Sequence, residues 1–371
     1  MSAAATPQKL PTYVWEPTTD FLAARYGLPR ESIVRFDVNT SPLAPDLGDA
    51  LSRPFDPPLC EYPPSDYAAL VAAAAASYGV TPDELLPTAG ADEALDLTAR
   101  AYLREGSVAV VAAPTYAMYR IVSEQRGARV IAVPRLGPES AFGLDIGAIA
   151  EAARGAQLVW LCEPNNPTGA FEPPERIGEL LAALESQALR DGRVAPVVAV
   201  DEAYAEFVGR SVLPLRAGYP RLVVIRTLSK AHALAGIRVG FAVAWPETLA
   251  PIVSYRAPAS VGTVSAALAT ASLTRPELAA ANVARIAAQR GRLAGELAAI
   301  GWRPYPSQAN FILVRFKSPS SAAAAGDALL RKGLVPRTFG LDHPLADCLR
   351  LTVRSAEENG RLIDAARGIP A

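Results

Sequence analysis

The chain has 371 residues, 50% of them hydrophobic, with 36 basic and 37 acidic side chains and a formal net charge of −1. This length allows a large sheet domain plus a smaller one, and the near-neutral charge argues against a general nucleic-acid or membrane-surface role. Cys60, Cys162 and Cys348 are scattered without metal-ligand spacing, and the two histidines argue against a histidine-rich metal site. The first residues lack an apolar leader core and no apolar run is long enough to span a bilayer, so we expect a cytoplasmic protein with reduced thiols and no metal.

The predicted elements alternate between helix and strand along most of the chain. Residues 1 to about 50 are proline-rich, with the broken periodicity of an arm that packs on other parts. Two helical stretches follow, at 67–78 and from 88 to about 104, and a glycine ends each of them. Strand-like runs with intervening helical stretches such as 174–185 then recur at 108–112, 130–133, 158–162, 197–200, 222–225 and 239–244.

This alternation predicts an α/β fold whose mainly parallel sheet is covered by helices on both faces. Long alanine-rich helices at 264–273 and 277–300 lead away from the sheet, and strands near 311–316 and 349–353 indicate a smaller α/β unit. We therefore expect three parts, which are an amino-terminal arm with part of the small domain at 1–50, a large domain at 51–265 and a small carboxy-terminal domain at 266–371.

The residues with the clearest chemical meaning follow the strand at 222–225. The chain continues with Thr227, Ser229 and Lys230, and Arg238 lies eight residues after the lysine. A lysine amine can form a Schiff base with an aldehyde cofactor, and neighbouring hydroxyls and a guanidinium can hold a phosphate beside it. An ordinary solvated turn explains these four residues equally well when they are taken alone.

Two earlier strands end in polar residues that favour the cofactor interpretation. One runs into Asn165, and the other ends at Asp201, with Tyr204 three residues further on. In open parallel sheets the carboxyl ends of strands share one edge, where ligands bind. A pyridine ring with an aldehyde, a phenolic oxygen and a phosphate needs a carboxylate at its nitrogen, amide and phenol donors at its oxygen, and a lysine at its aldehyde. The pattern predicts such a site, with Lys230, Asp201, Tyr204 and Asn165 as catalytic residues.

Eight motifs, spread over roughly residues 30 to 355, carry a resemblance to a known family. They are PNNPTG at 164–169, DEAYAEF at 201–207, TLSKAHALAGIRVGF at 227–241, LRLTV at 349–353 and, more weakly, YPPSDY at 62–67, GADEALDL at 90–97, APTYAMY at 113–119 and QANFILVRF at 308–316. The chain resembles the histidinol-phosphate aminotransferases of the fold-type I, pyridoxal-phosphate-dependent aminotransferase superfamily (class I/II). The resemblance implies a large domain built on a seven-stranded type of sheet, pyridoxal 5′-phosphate as cofactor, and aminotransferase activity.

The resemblance also implies roles for residues around the cofactor. Backbone N–H groups at a helix start bind phosphate well, and the residues implied to hold the cofactor phosphate are Gly90, Ala91, Asp92, Thr227, Ser229 and Arg238. Tyr116 would stack on the pyridine face. Tyr62 would reach the cofactor phosphate of a neighbouring subunit, which implies a homodimer with shared active sites. Lys230, once released from the cofactor, would move the substrate α-proton, so His232 is not needed as a base.

Four residues are implied to bind substrate. Arg350 matches the arginine that pairs with the substrate α-carboxylate, a geometry that a guanidinium fork suits. Its place in an apolar strand argues against a solvated surface arginine, because an unpaired buried charge is costly. Tyr13, Arg337 and Asn39 complete the set, and Asn165 is expected to touch both cofactor and substrate.

Three departures from the family pattern keep the substrate open. Thr338 and Phe339 follow Arg337 where acidic and amide residues are usual, the stretch 37–42 differs from Asn-Glu-Asn-Pro, and Glu163 places a possible negative charge near the cofactor. One hypothesis is ping-pong transamination between L-histidinol phosphate and 2-oxoglutarate. The others are transamination of an aromatic or specialised-pathway amino acid, and decarboxylation as in the related threonine-phosphate decarboxylases. A non-catalytic cofactor-binding relative is disfavoured, because the implied catalytic and binding residues are all present.

Overall fold

The computed structural model describes residues 10–52 and 54–370, so the first nine residues of the expected amino-terminal arm lie outside it. Its strands, in chain order, are β1 (Val34–Phe36), β2 (Leu85–Thr88), β3 (Val108–Ala113), β4 (Arg129–Pro134), β5 (Leu158–Cys162), β6 (Val197–Asp201), β7 (Leu222–Thr227), β8 (Gly240–Val243), β9 (Arg303–Pro304), β10 (Phe311–Arg315), β11 (Leu334–Pro336) and β12 (Cys348–Thr352). Its α-helices are α1 (Thr19–Tyr26), α2 (Ala68–Tyr78), α3 (Ala91–Tyr102), α4 (Met118–Glu124), α5 (Ile146–Ala152), α6 (Pro174–Arg190), α7 (Pro246–Val253), α8 (Thr263–Leu273), α9 (Pro276–Ala299), α10 (Pro319–Leu330) and α11 (Ala356–Ala366).

Seven strands form the large sheet, in the order β2-β8-β7-β6-β5-β3-β4. β4, β3, β5, β6 and β7 are mutually parallel, whereas β8 is antiparallel to both of its neighbours. The mainly parallel α/β sheet that the sequence predicts is therefore confirmed. The sequence did not reveal the direction of β8, and it did not reveal β2, a run of four residues that includes Pro87.

Apolar residues are buried on both faces of this sheet. Along β6, Val198 and Val200 pack into one core, with α2, α5, α6 and α8, while Val197 and Ala199 pack into another, with α3, α4 and α7. Burial on both faces explains why the parallel strands are continuous apolar runs. Helix α6 buries one stripe of residues spaced three and four apart, as an amphipathic helix on a sheet does.

A smaller unit is built from the chain ends. β10 pairs with β9 and β12 in an antiparallel sheet, and β1 pairs in parallel with β11, so the amino-terminal segment adds a strand to this unit. Its core, formed with α9, α10 and α11, also takes in Tyr204, Phe207 and Ala231 from the large-sheet side. The smaller unit thus closes over the carboxyl ends of β6 and β7. The boundaries proposed at residues 50 and 265 stay predictions. Within the described ranges, no helix is long and apolar enough to cross a membrane.

Candidate active site

Three neighbouring strands of the large sheet end at the edge that carries the polar motifs. β5, β6 and β7 are adjacent and parallel, with Cys162 opposite Asp201 and Asp201 opposite Ile225. Asn165, Asp201 and Lys230 therefore emerge at one edge, as the sequence indicates. This is the edge at which open α/β sheets bind ligands.

Lys230 lies half-buried at this edge. Its Nζ is 5.8 Å from the centre of the Tyr204 ring. Burial, aided by the positive charge of Arg350, lowers the pKa of the Lys230 amine to about 8. A larger share of this amine is neutral near pH 7 than for an ordinary lysine, and only the neutral amine can act as a nucleophile or a base.

Asp201 presents a buried carboxylate beside the lysine. Its Oδ2 accepts a hydrogen bond of 2.8 Å from the Tyr119 hydroxyl, and its Oδ1 accepts one of 3.0 Å from the Ala203 backbone N–H. Burial raises the pKa of Asp201 to about 6. Asp201 forms no ion pair with any residue that the structure describes. A cationic ring nitrogen is the kind of partner that would keep this carboxylate ionised.

Tyr119, which the sequence did not single out, contacts the predicted catalytic residue Asp201. Its ring stacks on Trp160 with the centroids 5.6 Å apart, and both side chains are fully buried. Tyr119 lies in the APTYAMY motif, three residues after Tyr116, to which the family resemblance assigns a role. The spacing of three residues between Tyr116 and Tyr119 could have indicated that their rings lie side by side, because residues three apart at a helix start share one surface.

A group of small and polar residues forms a cup at the start of α3. The helix begins after Gly90, whose φ of 81° leaves its backbone beside Arg238. A Cβ at Gly90 would lie 2.5 Å from Arg238 Nη2 and would displace this guanidinium, and the positive φ also favours glycine here. Arg238 donates to Asp92 at 3.2 Å and to Ser229 at 3.4 Å. The structure thus brings together the helix start, a hydroxyl and a half-exposed guanidinium, which is a suitable set of donors for a phosphate.

Thr227 and Gly240 support the cup from behind. The Thr227 hydroxyl donates to the Ser229 hydroxyl at 2.9 Å and accepts from the Ser229 backbone N–H at 3.1 Å, which fixes the turn before the lysine. A Cβ at Gly240 would lie 2.7 Å from the backbone nitrogen of Ala91. Glycine at this position therefore lets the start of α3 approach β8 closely, a requirement that the sequence analysis did not recognise.

Tyr116 and Tyr13 lie on one side of the site. The Tyr116 hydroxyl donates to Asp92 Oδ1 at 3.0 Å, and its ring meets Tyr119 edge-on at 5.7 Å. The Tyr13 ring contacts the Tyr116 ring edge-on at 6.3 Å, so the amino-terminal segment reaches the site. Desolvation, reinforced by the Asp92 charge, raises the pKa of Tyr116, and this phenol stays protonated as a donor.

Tyr204 and Asn39 form a buried pair. Asn39 Nδ2 donates to the Tyr204 hydroxyl at 3.1 Å, and the Tyr204 ring packs edge-on against Phe311 at 5.3 Å. Asn39 is held in turn by Thr352, whose hydroxyl donates to Asn39 Oδ1 at 3.1 Å. Asn39 thus contacts Tyr204 and Thr352, and its role in substrate binding stays a prediction.

The amide of Asn165 already has partners within its own loop and the next. Its Oδ1 accepts from the Thr115 hydroxyl at 2.9 Å, and its Nδ2 donates to the Pro114 carbonyl at 3.0 Å and to Thr168 at 2.8 Å. The neighbouring Asn166 offers its side-chain oxygen to Arg350. The turn is thus fixed by the Asn165 hydrogen bonds on one side and contacts Arg350 on the other.

Arg350 and Arg337 are adjacent across an antiparallel bridge. Each backbone N–H donates to the other residue's carbonyl at 3.0 Å. The Arg350 guanidinium is buried and donates to Asn166 and to the Asp37 carbonyl, yet it forms no ion pair within residues 10–52 and 54–370. Burial lowers the pKa of Arg350 to about 10, as expected for a buried cation without a counter-ion. Arg337 instead pairs with Glu16.

Two other residues lie away from this group. Tyr62 is 88% exposed, and no hydrogen bond to the site joins it among the described residues. Glu163 is turned inward, where it accepts from Arg135 at 3.1 Å and from the Glu172 backbone N–H at 2.9 Å. Burial raises the pKa of Glu163 to about 7 although Arg135 opposes the shift. Its charge is therefore part of a buried network, not a feature of the open cofactor edge.

Comparisons with known proteins identify the family of this chain. The family model described as "Aminotransferase class I and II" matches residues 37–365. The histidinol-phosphate aminotransferase of Roseiflexus castenholzii is 38% identical over 361 residues, covering 94% of this chain and 92% of that protein. That of Xylella fastidiosa (strain 9a5c) is 42% identical over 305 residues, covering 80% of each. The crystal structure of histidinol-phosphate aminotransferase from Sinorhizobium meliloti in complex with pyridoxal-5′-phosphate superposes with a TM-score of 0.86 at 26% identity, covering 99% of this chain and 98% of that one.

Fold and comparisons together define an α/β enzyme with a lysine amine at the carboxyl edge of its sheet. The chain belongs to the class I and II aminotransferase family, since the family model spans most of its length and its relatives exceed 30% identity over most of both chains. It is thus an aminotransferase, with an amino donor and a keto acid as its two substrates.

Proposed function

We propose that this aminotransferase uses pyridoxal 5′-phosphate to move the amino group of L-histidinol phosphate to 2-oxoglutarate. The observation that carries the proposal is the position of Lys230, whose amine has a pKa lowered to about 8, at the same sheet edge as Asp201, a buried carboxylate that forms no ion pair with the residues that the structure describes. The names of the relatives with 38% and 42% identity support the choice of amino donor.

The residues present fit the cofactor. Asp201 would face the ring nitrogen, Tyr204 would donate to the phenolic oxygen, and Tyr116 would cover the ring. The residues that would hold the phosphate are Gly90, Ala91, Asp92, Thr227, Ser229 and Arg238. When bound, the cofactor supplies an aldehyde for the amino group and a ring that withdraws electrons from the substrate α-carbon.

The side chains of this protein then have separate tasks. Lys230 Nζ, neutral in part at pH 7, would take the proton from the substrate α-carbon and hold it for return to the substrate–cofactor adduct. Asp201 stays ionised beside a cationic nitrogen, and the Tyr119 hydrogen bond keeps its carboxylate oriented. Arg350 orients the anionic end of the substrate, because its buried guanidinium has polar contacts but no carboxylate among its described partners.

A neutral aromatic amino acid is a second candidate donor, and one observation favours it. The Arg337 side chain, proposed as a phosphate ligand, is already paired with Glu16. The Tyr13 ring and the Phe339–His343 stack, whose centroids lie 4.8 Å apart, offer apolar surface on the segments that carry this pair. A donor whose only anion is its α-carboxylate would leave the Arg337–Glu16 pair intact.

We also propose a homodimer in which Tyr62 reaches the cofactor phosphate of the other subunit. Its exposure of 88%, and that of Leu59 at 66%, supports an interface at this segment. Sedimentation velocity of the purified holoenzyme tests the proposal, because a fully active monomer would contradict it.

The division at residues 50 and 265 is proposed as well, and limited proteolysis near these positions would test it.

A half-reaction screen tests the proposed activity. The absorption of the bound cofactor is followed while single amino donors are added to the holoenzyme without keto acid. We expect rapid loss of the aldehyde absorption with L-histidinol phosphate and a much slower change with phenylalanine, tyrosine and histidine. Conversion by aromatic amino acids alone would replace the first donor with the second, and release of carbon dioxide without amino transfer would indicate a decarboxylase.

A further inference from the structure

An acidic side chain from the amino-terminal segment occupies the substrate end of the site. The Glu16 carboxylate pairs with the Arg337 guanidinium, and the two side chains are 23% and 33% exposed. The same segment is anchored at two further points, because Tyr13 packs on Tyr116 and the Pro11 carbonyl accepts from Gln125 at 2.9 Å. Glu16 is thus held at this position by its neighbours in the chain as well as by its charge.

The two substrate-site arginines differ in how their charges are compensated. Among the described residues, Arg350 donates only to neutral oxygens, those of Asn166 and the Asp37 backbone, because the Asp37 carboxylate is engaged by Arg35 at 2.7 Å. Arg337, its neighbour across the backbone bridge, is neutralised by Glu16. With Glu16 in place, these three side chains carry one net positive charge, which is enough for a single carboxylate.

The two kinds of substrate bring different charges to this point. A keto or amino acid presents one carboxylate next to its reacting carbon, and Arg350 alone can match it. An amino-alcohol phosphate presents a phosphate monoester that carries nearly two negative charges and three acceptor oxygens. Two guanidinium groups are needed to balance the two negative charges of the phosphate. Arg337 can supply the second positive charge only when its ion pair with Glu16 is broken.

We propose that Glu16 is a specificity-determining residue, the internal counter-ion that Arg337 keeps when a single α-carboxylate lies beside Arg350 and exchanges when a phosphate monoester lies there. This inference rests on the proposed function, since it concerns the same substrate site. The exchange lets one pair of arginines serve both halves of the reaction cycle. The exchange weakens the binding of the phosphate substrate, because that substrate binds only after the Glu16–Arg337 pair has separated.

Calorimetric titration of the holoenzyme with small anions tests the exchange without turnover. The probes are inorganic phosphate, which is a dianion at about pH 8, and 3-phenylpropionate, a monocarboxylate. In the Glu16→Gln variant the competing charge is gone, so phosphate affinity should rise about two- to fivefold, the range expected for a partly exposed ion pair. The affinity for 3-phenylpropionate should stay within about twofold, because Arg350 is unchanged.

Two further variants make the result specific. Asp20→Asn removes one negative charge from the same segment at an exposed pair with Arg30, and it should leave both affinities unchanged. In an Arg337→Gln background, Glu16→Gln should give no gain in phosphate affinity. The inference is overturned if Glu16→Gln leaves phosphate affinity unchanged, raises both affinities equally, or acts without Arg337. It is also overturned if neither the wild type nor Glu16→Gln binds phosphate.

These outcomes are separable from the choice of amino donor. If the wild type reacts with L-histidinol phosphate but Glu16→Gln shows no selective gain, only the role of Glu16 is wrong. If Glu16→Gln gains phosphate affinity while the wild type does not react with L-histidinol phosphate, the anion exchange stands and the donor is wrong.

Discussion

Replacing Asp201 by asparagine should make the protein without cofactor more stable at alkaline pH while abolishing activity. Asparagine keeps the shape of the carboxyl group, its oxygen can still accept from the Ala203 N–H, and its amide can donate to the Tyr119 hydroxyl. Only the ionisable charge is lost. Asp201 is buried and has no ion pair among the described residues, so its charged form is disfavoured in the folded chain.

The pKa of Asp201 gives the size and direction of the effect. Burial raises it from 3.8 to about 6, and this difference is equivalent to about 3 kcal/mol of unfolding free energy. Because the folded-state pKa is raised, the contribution of Asp201 to stability is fully present below pH 3.8 and is lost as the pH rises through about 6. Asparagine does not titrate, so the variant should exceed the wild type by up to about 3 kcal/mol above pH 7 and by little near pH 4.

Urea unfolding of the two apoproteins at about pH 4 and pH 8 measures this difference by linear extrapolation. Equal stability of the two proteins at pH 8, or a difference that does not change with pH, would show that the charge of Asp201 does not destabilise the folded apoprotein. Rebinding of the cofactor is the complementary control. The wild type should gain more stability from the cofactor than the variant does, because only its carboxylate can pair with the ring nitrogen.

Three more substitutions test other parts of the site. Tyr119→Phe removes a hydrogen bond to the ionised Asp201, so the pKa of the Asp201 carboxyl should rise by about one to two units. The pH profile of kcat should then shift to higher pH, and an unchanged profile would mean that this hydrogen bond is unimportant. Gly240→Ala places a Cβ 2.7 Å from the Ala91 nitrogen, so unfolding should become about 1–3 kcal/mol easier and equilibrium dialysis should show weaker cofactor retention. Burial raises the pKa of Glu163 from 4.5 to about 7, so its stabilising contribution is lost as the pH rises through 7; Glu163→Gln should remove that pH dependence from thermal unfolding curves of the holoenzyme, and parallel curves for both proteins would contradict this.

The parts of the fold that the sequence revealed are those with strong local patterns. β5, β6 and β7 are continuous apolar runs because both faces of the sheet are covered, and each ends in a polar residue that must lie at the shared edge. β2 was missed because it has only four residues and contains proline. The reversed direction of β8 was missed because an apolar run reads the same in either direction.

The parts of the site that the sequence did not reveal depend on contacts between distant segments. Asn39 and Tyr204 are far apart in the chain, and only the folded structure shows that the amide holds the phenol. The pairing of Glu16 with Arg337 is equally remote. Glu163 was noticed as a charge, but its inward orientation depends on Arg135, a residue at the end of another strand.

We propose that Lys230 carries the aldehyde cofactor. The attachment can be located readily, because the lysines of this sequence are Lys9, Lys230, Lys317 and Lys332. Borohydride makes an aldehyde–amine linkage permanent, so peptide mapping of the reduced holoenzyme by mass spectrometry locates the attachment. We expect one added pyridoxyl-phosphate group per chain, on the peptide that contains Lys230. Attachment at another lysine, or none at all in protein that still shows the cofactor absorption, would contradict it.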